Sequence, residues 1–214
     1  MIIALGATKG GVGKSTIVTN LAVSFQQRGK QVIVVEADPT VRTLSTWKED
    51  RATTEHPPVT VVRQAGNLRD DLRDLDGKYD IVLVDLPGKD SREMRTTATV
   101  ADLLLIPCQP HQVDIDPTIA MLPIIEEARD FNPGLIVSVV LNRVPTHAWS
   151  TKEEDARAVL EESFGLVVRT SIHDRTVFST ANGIGLSVLE ANDKKAQHEI
   201  TALTDDIERM LTND

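Results

Sequence analysis

The sequence predicts an α/β protein with a doubly wound, mostly parallel sheet flanked by helices, in a single domain that spans residues 1–214. Short apolar runs alternate with amphipathic stretches along the whole chain, as repeated strand–helix units require. Aromatic residues make up only 3% of the chain, so the core must rest on Val, Ile, Leu and Ala. Such a core suits parallel strands that are buried on both faces.

Seven apolar runs are predicted to be strands: 2–5, 31–36, 59–63, 80–85, 103–107, 135–141 and 166–169. Helices are predicted at 14–28, 40–52, 66–75, 91–101, 117–131, 151–164 and 194–212. Gly29 suits the C-terminus of the first helix, and Pro117 suits a first helical position. Thr151 and Glu154 fit a capping box at the start of another helix. Ligands of such sheets bind beyond the C-terminal ends of the strands.

The most informative segment is Lys-Gly-Gly-Val-Gly-Lys-Ser-Thr at positions 9–16, directly after the first apolar run. Its three glycines allow a tight turn whose backbone N–H groups point inward. The N-terminus of the helix that begins near Lys14 adds a positive dipole, and together these groups make a site for a polyphosphate. Lys14 is placed to reach the β- and γ-phosphates, and the Ser15 hydroxyl is placed to ligate Mg²⁺.

This loop departs from the common phosphate-loop pattern, which would place a glycine where Thr8 stands. A second lysine, Lys9, stands at the head of the loop instead. The string resembles the deviant phosphate loop of the ParA/MinD family of ATPases, which have a P-loop nucleotide triphosphatase fold. In that family the extra lysine reaches across a dimer interface to phosphates held by the partner subunit. The resemblance implies that ATP and Mg²⁺ are bound by Lys9, Gly10, Gly11, Val12, Gly13, Lys14, Ser15 and Thr16.

A second candidate site, Glu36-Ala37-Asp38-Pro39, follows the second apolar run. A carboxylate just past a strand end, beside a γ-phosphate, can orient an attacking water. ParA-like ATPases carry Asp-x-Asp-Pro at this position, and their second aspartate positions the water. In this chain Glu36 replaces the first aspartate. The resemblance implies that Asp38 acts in hydrolysis together with Lys9 and Lys14, and a plain Asp-Pro turn is the alternative.

A third candidate is Asp85, which ends four apolar residues in the manner of a Walker B strand. Its carboxylate would hold the Mg²⁺ shell, usually through water. The Asp-Leu-Pro-Gly string that begins there resembles a switch loop that senses the γ-phosphate through backbone N–H groups. Pro87 and Gly88 belong to this loop, and Gly88 gives it conformational freedom. An ordinary strand end is the alternative.

Asn142 and Arg143 follow another apolar strand, and an asparagine offers a donor and an acceptor to an adenine edge. In the ParA/MinD family an asparagine at this place contacts the base, although a strand-terminating turn would also use these residues. Basic residues of the C-terminal region help that family bind non-specific DNA. The candidates in this chain are Arg169, Arg175, Lys194 and Lys195. The alternative is that each is a solvated surface charge.

Composition limits these hypotheses further. A net charge of −9 argues against a protein coated in positive charge for nucleic acid, but it leaves a local basic patch open. Cys108 is the single cysteine, which excludes an internal disulfide framework and a four-cysteine metal site. No leader peptide and no apolar run long enough to span a membrane is visible. We therefore expect a cytoplasmic protein without membrane attachment.

The favoured hypothesis is a short ParA-type ATPase, because the phosphate loop starts within ten residues of Met1 and leaves no room for a helix-turn-helix ahead of it. The resemblance implies an ATP-bound homodimer that coats non-specific DNA and associates with the nucleoid. Intrinsic Mg²⁺-dependent ATP hydrolysis is weak, and a ParB-like centromere-binding partner stimulates it. The output is segregation or positioning of plasmid or chromosomal DNA, with conjugation or organelle positioning left open.

Several other proteins share this loop. A MinD-type membrane-associated positioning ATPase needs a basic amphipathic helix at its C-terminus, whereas the polar face of segment 199–211 is acidic. A small-molecule ligase related to dethiobiotin synthetase also stays open. A nitrogenase-reductase relative would need more cysteines, and a bacterial tyrosine kinase would need more tyrosines than Tyr79.

Overall fold

The computed structural model describes residues 1–146 and 152–212. Six parallel strands form one sheet with the spatial order β3-β2-β4-β1-β5-β6. The strands are β1 Ile2–Leu5, β2 Val32–Glu36, β3 Thr60–Arg63, β4 Ile81–Asp85, β5 Leu103–Cys108 and β6 Ile136–Leu141. The predicted doubly wound α/β fold is confirmed, and all six strands run parallel.

The described residues also contain nine α-helices and one short 3-10 helix, Val188–Glu190. The α-helices are α1 Lys14–Gln27, α2 Thr43–Arg51, α3 Arg69–Asp76, α4 Arg92–Ala98, α5 Gln112–Ile119, α6 Leu122–Arg129, α7 Lys152–Phe164, α8 Thr176–Asn182 and α9 Lys194–Thr212. Thr151, the predicted cap of α7, lies outside the described residues. The sequence analysis did not predict α8 or the 3-10 helix.

Each face of the sheet carries its own apolar core, because successive side chains of a strand point to opposite faces. In β1, Ile3 and Leu5 join the core formed with α1, α2, α8 and α9. Ile2 and Ala4 join the opposite core, formed with α3 to α7. The strands are apolar on both faces for this reason, as a parallel sheet between two helical layers requires.

The prediction of a strand at 166–169 is wrong. Val167 forms only an isolated bridge with Val139 beside β6. The chain then turns toward α9, where the backbone N–H and the hydroxyl of Thr170 both donate to Asp206, at 2.9 and 2.6 Å. The side-chain carboxylate of Asp206 thus competes with β6 for the backbone of this segment, and a continuous ladder does not form.

The prediction of one helix at 117–131 is also wrong, because two helices occupy this region. Pro117 lies inside α5 rather than at a first helical position, and Pro123 lies in the first turn of α6. Pro117 has no N–H to donate to the carbonyl of Val113, four residues earlier. That carbonyl therefore stays available to another donor near the start of α5.

The register of the sheet places the candidate site. Leu5 pairs with Asp85, and Asp85 pairs with Glu36, so the C-terminal ends of β1, β4 and β2 lie in one row. Cys108 pairs with Leu141, which aligns the ends of β5 and β6 at the same edge. The loops that follow these strands carry the motifs found in the sequence.

The last helix, α9, packs against α1. Its apolar residues Ile200, Leu203 and Ile207 are buried, and the Thr204 and Ser24 hydroxyls are hydrogen-bonded at 2.8 Å. The apolar face of α9 is therefore covered by the protein itself. Across residues 1–146 and 152–212, we find no helix with the length and apolar character needed to cross a membrane.

A buried ion pair fastens the end of α2 to the 3-10 helix. The Arg51 guanidinium donates to both carboxylate oxygens of Glu190, at 2.7 and 2.9 Å, and both side chains are at most 5% exposed. Arg51 also donates to the carbonyls of Pro57 and Gly185 and lies 5.1 Å from the ring centre of Trp47.

We predict that Arg51→Met destabilises the protein by about 3–5 kcal/mol, because Glu190 is left buried without its partner. Adding Glu190→Gln should recover part of that loss. Arg42→Met, which breaks the exposed pair with Glu49, should cost less than about 1 kcal/mol. Denaturant unfolding measures all three variants, and a small effect of Arg51→Met would contradict the prediction.

Candidate functional site

The phosphate loop joins β1 to α1 and presents an unoccupied helix N-terminus. Gly13 is the N-cap of α1, with φ of 96°, and has no side chain to cap the first-turn N–H groups. A Cβ at this position would lie 2.2 Å from Nδ2 of Asn142, so only glycine fits. The free N–H groups and the helix dipole suit an anion.

Lys14, Ser15 and Asp85 meet at the start of α1. The Ser15 hydroxyl donates to Oδ2 of Asp85 at 2.6 Å. Lys14 is 8% exposed, and burial lowers its pKa although the charges of Asp85 and Asp38 oppose this effect. A buried ammonium beside two carboxylates suits contact with phosphate oxygens.

Asp85 has the properties expected of a group in a Mg²⁺ shell. Its carboxylate is 3% exposed, and Oδ1 is buried without a hydrogen-bond partner. Burial raises the pKa of Asp85 to about 6, against the opposing effects of the Ser15 hydrogen bond and the Lys14 charge. A divalent cation would satisfy the unpartnered oxygen and favour the ionised form.

The donor set fits Mg²⁺ held together with a nucleotide. Ser15 and Asp85 supply hard oxygen atoms, and Mg²⁺ usually takes few protein ligands and completes its shell with water and phosphate. Within residues 1–146 and 152–212, no group of three or more His, Cys, Asp and Glu side chains could hold a metal by itself. When bound, the ion would neutralise charge on the phosphate oxygens.

Lys9 contacts its own subunit at the start of α5. Its ammonium lies 2.7 Å from Oδ1 of Asp114 and donates to the carbonyl of Val113 at 3.4 Å. This is the carbonyl that Pro117 cannot engage. The Lys9 side chain is 43% exposed, whereas Asp114 is 4% exposed. An exposed cation at the head of the loop thus neutralises a buried carboxylate.

The switch loop packs directly against the phosphate loop. A Cβ at Gly88 would lie 2.9 Å from Cα of Gly10 and 3.1 Å from the carbonyl oxygen of Lys9. Gly88 is therefore needed for close backbone approach as well as for flexibility. Pro87 is buried beside it. A change in either loop must displace the other, which suits a sensor of phosphate occupancy.

Asp38 lies in the loop between β2 and α2, partly exposed. Its Oδ1 accepts hydrogen bonds from the N–H and hydroxyl of Thr40, at 2.9 and 2.6 Å. Desolvation alone would raise the pKa of Asp38, but the Thr40 hydrogen bonds and the charges of Lys14 and Lys89 outweigh it and lower that pKa. The carboxylate is therefore ionised at neutral pH and can accept a hydrogen bond from water.

A cavity of about 360 Å³ opens beside the phosphate loop. Gly13 and Thr16 line one side of it, and Asn142 and Arg143 line another. The Nδ2 group of Asn142 donates to the carbonyl of Val12 at 2.6 Å, so this side chain supports the loop. Arg143 has φ of 52°, which turns the chain away from β6. The cavity is placed to hold a base next to bound phosphates.

The four basic residues proposed for DNA lie together in a second cavity, of about 640 Å³, which we name the basic groove. Its cationic and histidine side chains are Arg169, His173, Arg175, Lys194, Lys195, His198 and Arg209. Glu199 receives hydrogen bonds from Arg175 at 2.7 Å and pairs with His173 at 2.9 Å. His173 and Arg175 also line the cavity beside the phosphate loop.

The sequence analysis missed several residues of this site. Asp114, Lys89 and Arg63 contact or influence predicted site residues, but none belongs to a motif. Asp114 could have been suspected because it opens a helix just after β5, at the sheet edge where ligands bind. Its pairing with Lys9 spans 104 to 105 positions of chain, so local patterns do not reveal it.

Comparison with known families identifies the class of protein. Residues 3–188 match the family described as the CobQ/CobB/MinD/ParA nucleotide binding domain. The chain belongs to this family of nucleotide-binding ATPases, and the resemblance drawn from the phosphate loop is confirmed at that level.

Individual relatives come from several systems. The chain is 30% identical over 213 residues to the Maintenance of carboxysome distribution protein A of Halothiobacillus neapolitanus, covering 96% of this chain and 95% of that protein. It is 26% identical to Protein ParA of Rhizobium radiobacter, covering 83% and 80% of the two chains. Among solved structures, cobyrinic acid a,c-diamide synthase from Mycobacterium smegmatis, with a bound ATP analogue and magnesium, shares the fold. Its TM-score is 0.77 at 18% identity, over 97% of this chain and 94% of that one.

We predict that Asp85→Asn abolishes the additional thermal stabilisation that Mg²⁺ gives over ATP in EDTA, because the amide removes the anionic oxygens. The apo protein should stay folded, since the ionised carboxylate is already disfavoured by burial. Asp90→Asn is the matched control, because Asp90 is exposed on the same loop and pairs with Arg95. Thermal shift assays with ATP, with and without Mg²⁺, would contradict the assignment if Asp85→Asn kept the Mg²⁺ increment.

Proposed function

We propose that this protein is an ATP-dependent dimerising switch that segregates or positions DNA cargo. In the ATP state two subunits enclose two nucleotides and bind non-specific DNA, and hydrolysis returns them to monomers. The single observation that carries this proposal is the position of Lys9. It lies at the head of the phosphate loop, partly exposed, with its ammonium on Asp114 rather than inside its own phosphate loop.

The geometry supports a role for Lys9 across a dimer interface. An ammonium held by an in-subunit carboxylate can exchange that partner for the phosphates of a second subunit. Monomer and dimer would then differ in one ion pair. The Asp114 contact favours the monomer, and a triphosphate in the partner favours the dimer.

For hydrolysis, Lys14 would neutralise phosphate charge while Asp38 orients the attacking water. Asp38 is ionised and partly exposed, and it lies in a mobile type of element, a loop past a strand end. Intrinsic activity should be weak until a partner orders that loop. We propose a ParB-like adaptor that links the ATPase to its cargo and stimulates hydrolysis.

The basic groove is the proposed DNA surface. The chain has a net charge of −9, so the concentration of Arg169, Lys194 and Lys195 in one groove is a marked local exception. Lys194 and Lys195 are exposed in the first turn of α9, where N–H groups add to the positive potential. Contacts to the DNA backbone would bind without sequence preference and depend strongly on salt.

The cargo follows from the partner. Relatives are named for carboxysome distribution and for ParA, so one ATPase core serves different cargoes in different systems. We propose plasmid or chromosomal DNA as the cargo here, with nucleoid association in the ATP state. A MinD-like attachment to membranes is not favoured, because the apolar face of α9 is buried against α1.

The general test measures DNA retention with no nucleotide, ADP, ATP and a non-hydrolysable ATP analogue, at two salt concentrations. The proposal requires sequence-indifferent, salt-sensitive binding that appears with ATP or the analogue. DNA binding that is independent of nucleotide, or vesicle binding in its place, would contradict it.

We predict that Lys9→Ala binds nucleotide but stays monomeric with ATP, because the partner's phosphates lose their cation. Asp114→Asn should shift the equilibrium the other way and increase the dimer fraction at limiting ATP, because Lys9 is released. Asp116→Asn is the matched control, since Asp116 is exposed on the same helix and bonds Gln112. Light scattering after gel filtration measures the effect, and ATP-driven dimers of Lys9→Ala would refute the role of Lys9.

We predict that the double substitution Lys194→Gln and Lys195→Gln weakens ATP-dependent DNA binding at least about tenfold and lowers the salt slope by about one to two. Lys78→Gln is the control, because Lys78 is exposed just before β4, at the opposite edge of the sheet. Fluorescence anisotropy over a salt series gives both quantities. Equal losses for the groove variant and the control would remove the basic groove from DNA binding.

A further inference from the structure

We propose that Arg63 is a positioning residue that holds the loop carrying Asp38 in place for ATP hydrolysis. This inference rests on the proposed role of Asp38. Arg63 is the last residue of β3, the edge strand that pairs with β2. Glu36 and Arg63 are directly paired in the register of these two strands. The guanidinium therefore starts from a fixed point beside the loop.

The contacts of Arg63 reach over the Asp38 loop. Its Nη2 group donates to the carbonyls of Pro39 and Val41, at 3.4 and 3.3 Å. Its Nε lies 3.3 Å from Oε2 of Glu36. One planar guanidinium thus joins the sheet to two carbonyls that follow Asp38 in sequence. A lysine at this position offers a single charged nitrogen and cannot repeat this arrangement.

Glu36 fixes the other end of the same loop. Its carboxylate is 1% exposed, and Oε1 accepts a hydrogen bond from the backbone N–H of Leu44 at 2.8 Å. Oε2 accepts a hydrogen bond from the Ser45 hydroxyl. These contacts hold the first turn of α2 against the end of β2. Glu36 thereby anchors both the helix that follows the loop and the arginine that spans it.

Asp38 does not tie its loop to the sheet. Its hydrogen bonds go to Thr40, two residues further on, and they shape the turn locally. Pro39, Thr40 and Val41 are all exposed. The contacts of Arg63 supply a connection between this exposed turn and the sheet. If that connection is lost, the Asp38 carboxylate should sample positions away from the attacking water, and such misplacement lowers the rate of the chemical step.

The loop and the nucleotide cradle use different residues, which makes the role of Arg63 separable. The phosphates are expected on the loop 9–16 and on Lys14, whereas Arg63 contacts only Glu36 and the backbone of the Asp38 loop among the bonds described above. Loss of Arg63 should therefore change kcat and leave nucleotide affinity unchanged. A merely structural role would lower stability and affinity together.

The test uses Arg63→Met in the full chain, with Mg²⁺ and ATP as the probe. We expect kcat for phosphate release to fall about tenfold, with Kd for ATP and ADP within about twofold and an unchanged ATP-dependent dimer fraction. Arg63→Lys should recover only part of the rate. Arg42→Met is the matched control, because Arg42 lies at the end of the same loop but pairs with the exposed Glu49. Unchanged kcat, or a joint loss of kcat, affinity and stability, would overturn the proposal.

A second comparison separates the two roles. Asp38→Ala should slow hydrolysis, and adding Arg63→Met to it should cause no further loss, because the arginine acts through Asp38. A normal rate for Asp38→Ala would overturn the proposed role of Asp38 and the inference with it. A slow Asp38→Ala beside a normal Arg63→Met would overturn the inference alone, as would additive losses in the double variant.

Discussion

The ion pair between Lys9 and Asp114 is the interaction on which the rest of the account depends. Asp114 is almost fully buried, and a buried carboxylate without a partner is costly. Lys9 is therefore held in its own subunit unless a stronger anion replaces Asp114. A triphosphate presented by a second subunit is such an anion. The dimer equilibrium then reflects the difference between two ionic contacts of one ammonium group.

The remaining loops are connected to this point by close contacts. Gly88 packs on the backbone of Lys9 and Gly10, so the switch loop and the phosphate loop form one unit. Asp85 begins the switch loop and bonds Ser15, which joins that unit to the expected metal position. Asp85 also pairs with Glu36 in the sheet, and Glu36 anchors the loop that carries Asp38. The parallel sheet thus brings the proposed binding, sensing and hydrolytic groups to one edge.

Local sequence patterns predicted the fold class, six strands and the motifs at the strand ends. The phosphate loop, Asp38 and Asp85 could be found because each motif is short and follows an apolar run. Long-range pairing could not be found in this way, as the bond from Asn142 to Val12 shows. The segment 166–169 failed as a strand because a carboxylate of α9 takes its backbone donors. The helix at 117–131 failed because its prolines were assigned to a single start.

The most direct test of the central claim is a crystal structure of the protein with Mg²⁺ and a non-hydrolysable ATP analogue. The account predicts two subunits face to face, with the Lys9 ammonium about 3 Å from phosphate oxygens of the partner's nucleotide and no longer on Asp114. Solitary subunits that bind the analogue while Lys9 still contacts Asp114 would contradict it.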